Sequence, residues 1–426
     1  MRTLVVYIEM NGQQNYVGQI KGNGLADACF TYADEYCAKS EAVSISLSLP
    51  ISEKIFSPIQ TQNFFEGLLP EGFTRRCVAN WMHADENDYI TILSGLGNEC
   101  LGAIRIVEDS SLQSNDSYKR LTFEEVRNLA QEGASESAQI VTKSHLSLTG
   151  ASGKVGLYFN NDDKQWYQPI GNAPSTHIVK QSHVRLKEIV TNEQLCLLTA
   201  AGMGIETPES FVVNTGDSKD GDVLFATKRY DRSFEGAVRN LDGLRIPLRL
   251  HQEDFAQALG IAAQHKYECN QDKYLQKAFE LIRNYSANPM EDQLKLWDIT
   301  VYNYLIGNTD NHIKNLSLLY SKNLKSIRLA PAYDIVSTTI YESSTKDMAL
   351  SINGKYAIDT LKRTDFKEQA HQCGIGEKIA MDHFEKLVSG FEQMLQNTAD
   401  FMKEEGFVNS EKLKEKILSF GGYHYL

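Results

Sequence analysis

Apolar and polar positions recur along the 426-residue chain with enough regularity to divide it into elements. Leu4 to Met10, then Asn11-Gly12, then Tyr16 to Ile20 predicts a strand, a turn and a second strand, because Asn-Gly supplies the left-handed residues of a two-residue hairpin. Val43, Ile45, Leu47 and Leu49 alternate with Ser44, Ser46 and Ser48 up to Pro50, a period of two that predicts a half-buried strand. From Gln60 to about Gly97 the pattern turns helical, with Phe64, Phe65, Leu68 and Leu69 ahead of Pro70-Glu71-Gly72 and a second series through Val78, Trp81 and Met82. Thr122 with Glu125 predicts a capping box and a short helix through Leu129. Strands are expected at 154–160, 176–180, 210–213 and 223–230, and a helix at 190–201 stopped by Gly202. Beyond Gln252 helices dominate, at about 252–263, 272–284, 291–306, 365–372, 377–402 and 410–419.

The layout is therefore α+β in three parts. A sheet-containing N-terminal subdomain covers 1–110, a β-rich lobe with one helix covers 111–230, and a helical lobe covers 231–426. Composition adds that the chain folds: 42% of residues are hydrophobic and 23% charged, close to an ordinary globular protein. The balance of 43 basic against 55 acidic residues gives −12, which disfavours direct, extended binding of a nucleic-acid backbone. Seven cysteines without a C-x-x-C pair read as reduced core residues, against a disulfide framework or a structural zinc site. Met1 to Glu9 has too short an apolar stretch for a signal peptide, and no later run approaches the ~18 residues of a membrane span. The expectation is a cytoplasmic protein with no membrane partner.

The stretch richest in chemistry is Gly307-Asn308-Thr309-Asp310-Asn311-His312-Ile313-Lys314-Asn315. It contains D-x-x-x-x-N, the spacing at which a kinase Asp takes the proton of the attacking hydroxyl while an Asn five residues later binds magnesium. A short hairpin then leads through Ile327 to Ala330 into Pro331-Ala332-Tyr333-Asp334, which brings a second carboxylate back toward the first. Magnesium needs such hard oxygen ligands against nucleotide phosphates. The bland alternative is a helix-capping Asp310 and a turn-forming Asp334.

A kinase also needs a strand-borne Lys, and Lys180 ends Thr176-His177-Ile178-Val179-Lys180, with Glu193 on the next helix as its ion-pair partner. Upstream, Gly150-Ala151-Ser152-Gly153-Lys154 precedes a strand and suits a backbone that approaches phosphates, although it is not a Walker A motif. Lys228-Arg229-Tyr230 joins the last strand to the helical lobe, where Tyr230 either packs against an adenine or serves as core. His312 either orients Asp310 or packs. The ten histidines show no zinc spacing, which excludes a metallohydrolase.

With these motifs the chain resembles the HipA-type toxins, bacterial serine/threonine kinases of toxin–antitoxin systems. The resemblance runs nearly end to end through Leu47-Ser48-Leu49-Pro50, Asn63 to Gly72, Leu101-Gly102-Ala103-Ile104, Tyr230-Asp231-Arg232, Arg249 to Asp254, Gly307 to Asn315 and Ala330 to Ser337. It implies a two-lobed protein-kinase-like fold with an N-terminal subdomain, and ATP and Mg2+ as cofactors. It further implies Asp310 as catalytic Asp, Asn315 and Asp334 as metal ligands, Lys180 as the phosphate-binding Lys, and Ser147 as a self-phosphorylation site. The implied partners are a small HipB-like DNA-binding antitoxin, operator DNA only through that antitoxin, and a protein substrate, in the best-known case an aminoacyl-tRNA synthetase. One departure stands in the glycine loop, where family members often read Ala-Gln-Glu-Lys and this chain reads Ala151-Ser152-Gly153-Lys154. Two other readings compete: a non-catalytic corepressor of kinase fold, and a lipid or small-molecule kinase, whose catalytic loop Asp310, His312 and Asn315 also resemble.

Overall fold

In the computed structural model, residues 2–108, 115–132, 153–182, 186–236, 239–270 and 272–426 are described. The N-terminal hairpin forms as expected. Arg2–Met10 pairs antiparallel with Gln13–Gly22, and Asn11 and Gly12 take φ of 50° and 81° in the turn between them. Two further antiparallel neighbours complete a four-stranded sheet in the order Cys29–Tyr32, Gln13–Gly22, Arg2–Met10, Ile104–Val107.

The chain divides into two compact units. The first comprises Met1–His183, Ala226–Ala263 and Leu319–Ser326. On one side of its first sheet the fully buried rings of Phe30, Phe56, Phe64 and Phe65 close a core, Phe30 stacking on Phe56 at 5.9 Å and tilting against Phe65 at 5.3 Å. Helix Pro58–Phe65 supplies two of those rings; Ser57 and Gln60 cap it reciprocally, and Pro58 takes the first-turn position where its missing N–H costs nothing. The same unit holds antiparallel strands in the order Ser117–Arg120, Gln165–Ile170, Lys154–Asn160, His177–Gln181. Thr122 and Glu125 make the expected capping box, and their helix runs Phe123–Glu132.

The second unit comprises Val184–Phe225, Gln264–Leu318 and Ile327–Leu426. Its axis is helix Pro289–Ile306, whose later turns bury Trp297, Val301, Tyr302, Tyr304, Leu305 and Ile306 completely. Pro289 opens it, Glu291 and Asp292 sit in the first turn, and Gly307 ends it at φ 71°. Gly307 is required twice over, since a Cβ there would lie 2.1 Å from Thr339 Oγ1 as well as strain the left-handed backbone. The polar tips of the buried rings find backbone partners. Tyr302 donates to the Cys196 carbonyl of helix Ile189–Gly202 at 2.7 Å, and Trp297 Nε1 donates to Ala380 of helix Glu377–Glu404 at 2.9 Å.

Two expectations are corrected. Residues 43–49 are not a strand: one bridge, Ser46 to Leu49, is all the ladder they make. The serines bond locally instead, Ser44 Oγ accepting the Ile51 N–H and Ser46 Oγ accepting the Ser48 N–H, which turns the chain. Ile45 and Leu49 are still fully buried. The helix expected at 252–263 is a strand, Gln252–Asp254, followed by a short helix, Phe255–Leu259, because Asp254 and Gln257 form a capping box that starts the helix three residues late. Gly260, at φ 67°, ends it. Among the described residues no helix is long and apolar enough to cross a membrane.

Candidate active site

The second unit holds the D-x-x-x-x-N loop. Leaving helix Pro289–Ile306 at Gly307, the chain makes a tight turn in which the His312 N–H donates to the Asp310 carbonyl at 2.8 Å, and a 3-10 turn, Ile313–Asn315, follows. The Asn315 side chain donates back to the same Asp310 carbonyl at 3.0 Å. The five-residue spacing thus closes a ring in which the Asn fixes the backbone of the Asp. Tyr333 buttresses the far side, its hydroxyl donating to the Lys314 carbonyl at 2.9 Å and sharing a 2.6 Å bond with Ser317.

Asp310 and Asp334 are tied together by a residue that the sequence did not single out. Asn308 is 1% exposed; its side-chain oxygen accepts the Asp310 N–H at 3.2 Å, and its amide donates to the Asp334 carbonyl at 3.2 Å and to Asn303 at 2.7 Å. Asp334 sits at φ 52°, a left-handed conformation that Asp tolerates better than most residues and that re-aims the chain after the hairpin. Past it, Asn192 of helix Ile189–Gly202 donates to the Ser337 carbonyl at 2.8 Å. Thr338 receives the Thr309 N–H at 2.8 Å, and both Thr338 and Thr339 donate N–H bonds to the Gly307 carbonyl. The loop is therefore held at both ends.

Asp310 opens onto a cleft of about 530 Å3 within this unit. Thr309, Thr338, Thr345 and Asp347 supply polar edges, while Leu186, Met348, Ala349 and Tyr356 supply apolar ones. Tyr267 stands at the wall, its hydroxyl donating to Asp310 Oδ1 at 2.5 Å and its ring edge-on to His312 at 5.2 Å. His312, 6% exposed, packs beneath it.

The first unit holds the expected phosphate-binding residues. Strands Lys154–Asn160 and His177–Gln181 are paired in a register that sets Lys154 directly opposite Lys180. Directly opposite residues share a face about 5 Å apart at Cβ, so the two ammonium-bearing side chains leave the sheet on the same side. Both lysines are more than nine-tenths buried, and the next position on that face is Gly156. Gly153 lies just ahead of the strand; Ser147, Gly150, Ala151 and Ser152 lie outside the described residues. Lys228 ends strand Val223–Lys228, and Tyr230, half-buried, donates its hydroxyl to Gln252. Glu193 belongs to the second unit, 6% exposed on helix Ile189–Gly202, so its pairing with Lys180 of the first unit stays an expectation of sequence.

Around Tyr230 the structure finds a cluster that the motifs alone did not reveal. Arg229, Arg232 and Arg249 converge with Glu9, Glu99 and Asp231, all nearly or wholly buried. Glu99 takes Arg232 at 2.7 Å, Arg249 at 2.7 Å and Arg229 at 3.2 Å. Burial alone would raise its carboxyl, but the three guanidiniums outweigh burial and hold it down to about 2. Asp231, similarly held to about 2 against burial by Arg229 and Arg232, accepts the Gly102 N–H at 2.7 Å. The Tyr230-Asp231-Arg232 and Leu101-Gly102-Ala103 motifs therefore meet in one buried ionic network.

Among the described residues no group of three or more His, Cys, Asp or Glu side chains forms a metal cage. Asn315 and Asp334 offer oxygen donors of the hard kind, and such a sparse set fits magnesium, which habitually takes one or two carboxylates and completes its shell with substrate phosphates and water.

Two family models match the sequence, one described as the HipA N-terminal domain over residues 8–107 and one as the HipA-like C-terminal domain over 146–395. The Sinorhizobium fredii protein Y4mE is 28% identical over 92% of this chain and 93% of its own. A Shewanella oneidensis protein named serine/threonine-protein kinase toxin HipA is 25% identical over 82% of this chain and 79% of its own. The solved HipA of Shewanella oneidensis, determined with HipB and operator DNA, superposes with a TM-score of 0.78 at 20% identity over 99% of this chain and 97% of that one. At that identity the likeness establishes the fold, an α+β fold of the kinase-like HipA type.

Proposed function

The chain belongs to the HipA family, and from that premise we propose that it is an ATP-dependent serine/threonine protein kinase, the toxin of a cytoplasmic toxin–antitoxin pair. One observation carries the reading: an Asp310 carboxylate that opens onto a cleft while Asn315, His312 and Asn308 fix its backbone. In the proposed reaction a substrate serine Oγ attacks the γ-phosphorus of ATP. A P–O bond forms to the serine, the bond to the β–γ bridging oxygen breaks, ADP leaves, and Asp310 takes the serine proton. Lys154 and Lys180 would hold phosphate oxygens, with Glu193 orienting Lys180, and Lys228 and Tyr230 would border the nucleotide. Asn315 and Asp334 would hold magnesium, which supplies charge neutralisation at the phosphates when bound.

The acidic chain is poorly suited to hold operator DNA, and a relative solved with HipB and operator DNA supports a small DNA-binding antitoxin as the partner that does so. The proposed acceptor is a protein serine, an aminoacyl-tRNA synthetase among the candidates, and Ser147 of the chain itself. Incubating the purified protein with Mg2+ and ATP, followed by mass spectrometry of the protein and of a host lysate, tests the kinase activity and its acceptors, and tight DNA binding by the purified protein alone at physiological salt would overturn the antitoxin partner. Asp310→Asn and Asp334→Asn should each keep the circular dichroism of the wild type and lower transfer by ~10²-fold or more. Either variant retaining more than about a tenth of the rate would remove its residue from the site. The same spectra read Ser147; no phosphate there after prolonged incubation would end the self-phosphorylation proposal and leave the kinase reading standing.

A further inference from the structure

We propose that Tyr267 is a positioning residue for Asp310, an inference that rests on the kinase reading above and adds a residue to it. A carboxylate that is to take a proton from a substrate hydroxyl must present one oxygen to that hydroxyl. The bonds from His312 and Asn315 both reach the main-chain carbonyl of Asp310, so they fix the backbone and do not act on the carboxylate oxygens. The Tyr267 hydroxyl does, by donating to Oδ1 at 2.5 Å.

Tyr267 is itself held where it must be to do this. Its ring lies edge-on to His312 at 5.2 Å, Lys266 Nζ stands over its face at 5.3 Å, and the Lys266 carbonyl accepts the Ile313 N–H of the catalytic loop at 3.3 Å. The tyrosine is 46% exposed and contributes to the wall of the cleft, so its hydroxyl is not retained there by burial in a core. A phenol fixed by its ring and its backbone neighbour, with its one donor spent on the reacting carboxylate, acts through that carboxylate.

The test uses the full chain and measures release of labelled phosphate from γ-labelled ATP with Mg2+, water and the chain's own hydroxyls serving as acceptors. Tyr267→Phe keeps the ring contacts and removes only the donor. Its turnover should fall about tenfold, less than the ~10²-fold cost of a misplaced reacting group, with the KM for ATP and the thermal midpoint unchanged. Because the tyrosine works through Asp310, the same substitution made in the Asp310→Asn background should leave the residual rate unaltered. Turnover of Tyr267→Phe within twofold of wild type, or above it as a blocking tyrosine would give, overturns the proposal. So does a loss of equal size in the Asp310→Asn background. An active wild type with an Asp310→Asn variant slowed ~10²-fold isolates that failure from the kinase reading; a wild type with no turnover overturns both.

Discussion

Replacing Glu99 with Gln should unfold the first unit far more readily than any surface change, and the size of the effect follows from the company Glu99 keeps. Its two oxygens accept four guanidinium bonds in a buried space: Oε1 faces Arg229 and Arg232, Oε2 faces both Nε and Nη2 of Arg249, and Ser175 adds a backbone and a hydroxyl donor at 3.3 Å each. The buried cluster is balanced, with Arg229, Arg232 and Arg249 against Glu9, Glu99 and Asp231. Glutamine keeps the shape and removes one negative charge, so a buried positive charge is left uncompensated, a change that costs about 3–5 kcal/mol in buried ion pairs. The depressed carboxyl gives a similar figure. Holding Glu99 at about 2 instead of the usual 4.5 corresponds to roughly 3 kcal/mol of stability at neutral pH.

The sign in pH is fixed by the direction of that depression. Stability from Glu99 is fully present above about pH 4.5 and is lost as pH falls toward about 2, through protonation of the folded state. Urea titrations of wild type and Glu99→Gln should therefore separate widely at pH 7, narrow below about pH 4.5 and converge only as pH approaches about 2. A difference under about 1 kcal/mol at pH 7, the scale of an exposed pair, would refute the reasoning. So would a difference that did not shrink in acid.

Glu253 should behave in the opposite sense. Burial pushes its carboxyl up to about 7 despite bonds from Ser46, Tyr320 and the Leu47 N–H, so the stability it contributes is present below about pH 4.5 and lost as pH rises toward 7. Glu253→Gln should gain on the wild type between pH 5 and pH 8 in urea titrations, and a pH-independent difference would contradict this. Lys154→Ala and Lys180→Ala should each weaken ATP binding about tenfold or more, as loss of a charge-assisted bond does. Calorimetric titration with ATP checks both, and undiminished affinity in either variant would remove that lysine from the phosphate site.

What was legible in the sequence was what a few neighbouring residues decide. The Asn11-Gly12 turn, the Thr122 and Glu125 box and the helix ending at Gly307 each depend on contacts within four residues or on a backbone angle, and each appears where the pattern put it. The D-x-x-x-x-N loop was legible for the same reason, since Asn315 closes on Asp310 across five residues. Residues 43–49 were misread because alternation reports burial and not ladder bonding. Ser46 spends its hydroxyl on Glu253, 207 residues away, and no window of the sequence contains that partner. Tyr267 and Asn308 were missed on similar grounds. Tyr267 is 43 residues from Asp310, and Asn308 lies inside the motif but looks like any polar turn residue until its three bonds are seen.

Two aspartates show how the structure separates chemistry from architecture when residue type and motif context do not. Asp231 and Asp310 both stand in short polar motifs with a basic or aromatic residue within two positions. Asp231 is 2% exposed, holds Arg229 and Arg232, and accepts Gly102, so its charge is already neutralised and its lone pairs are committed. Such a carboxylate can fix two segments of chain against one another, but it has neither the access nor the spare basicity to take a proton from a substrate. Asp310 is exposed at the edge of a cleft, and the bonds from His312 and Asn315 fall on its backbone oxygen. Its carboxylate takes the Tyr267 hydroxyl on Oδ1. Removing charge from the first should therefore act on stability and from the second on turnover, so that the ratio of the two effects, measured on the same pair of Asp→Asn variants, distinguishes a motif that builds the fold from one that works in it.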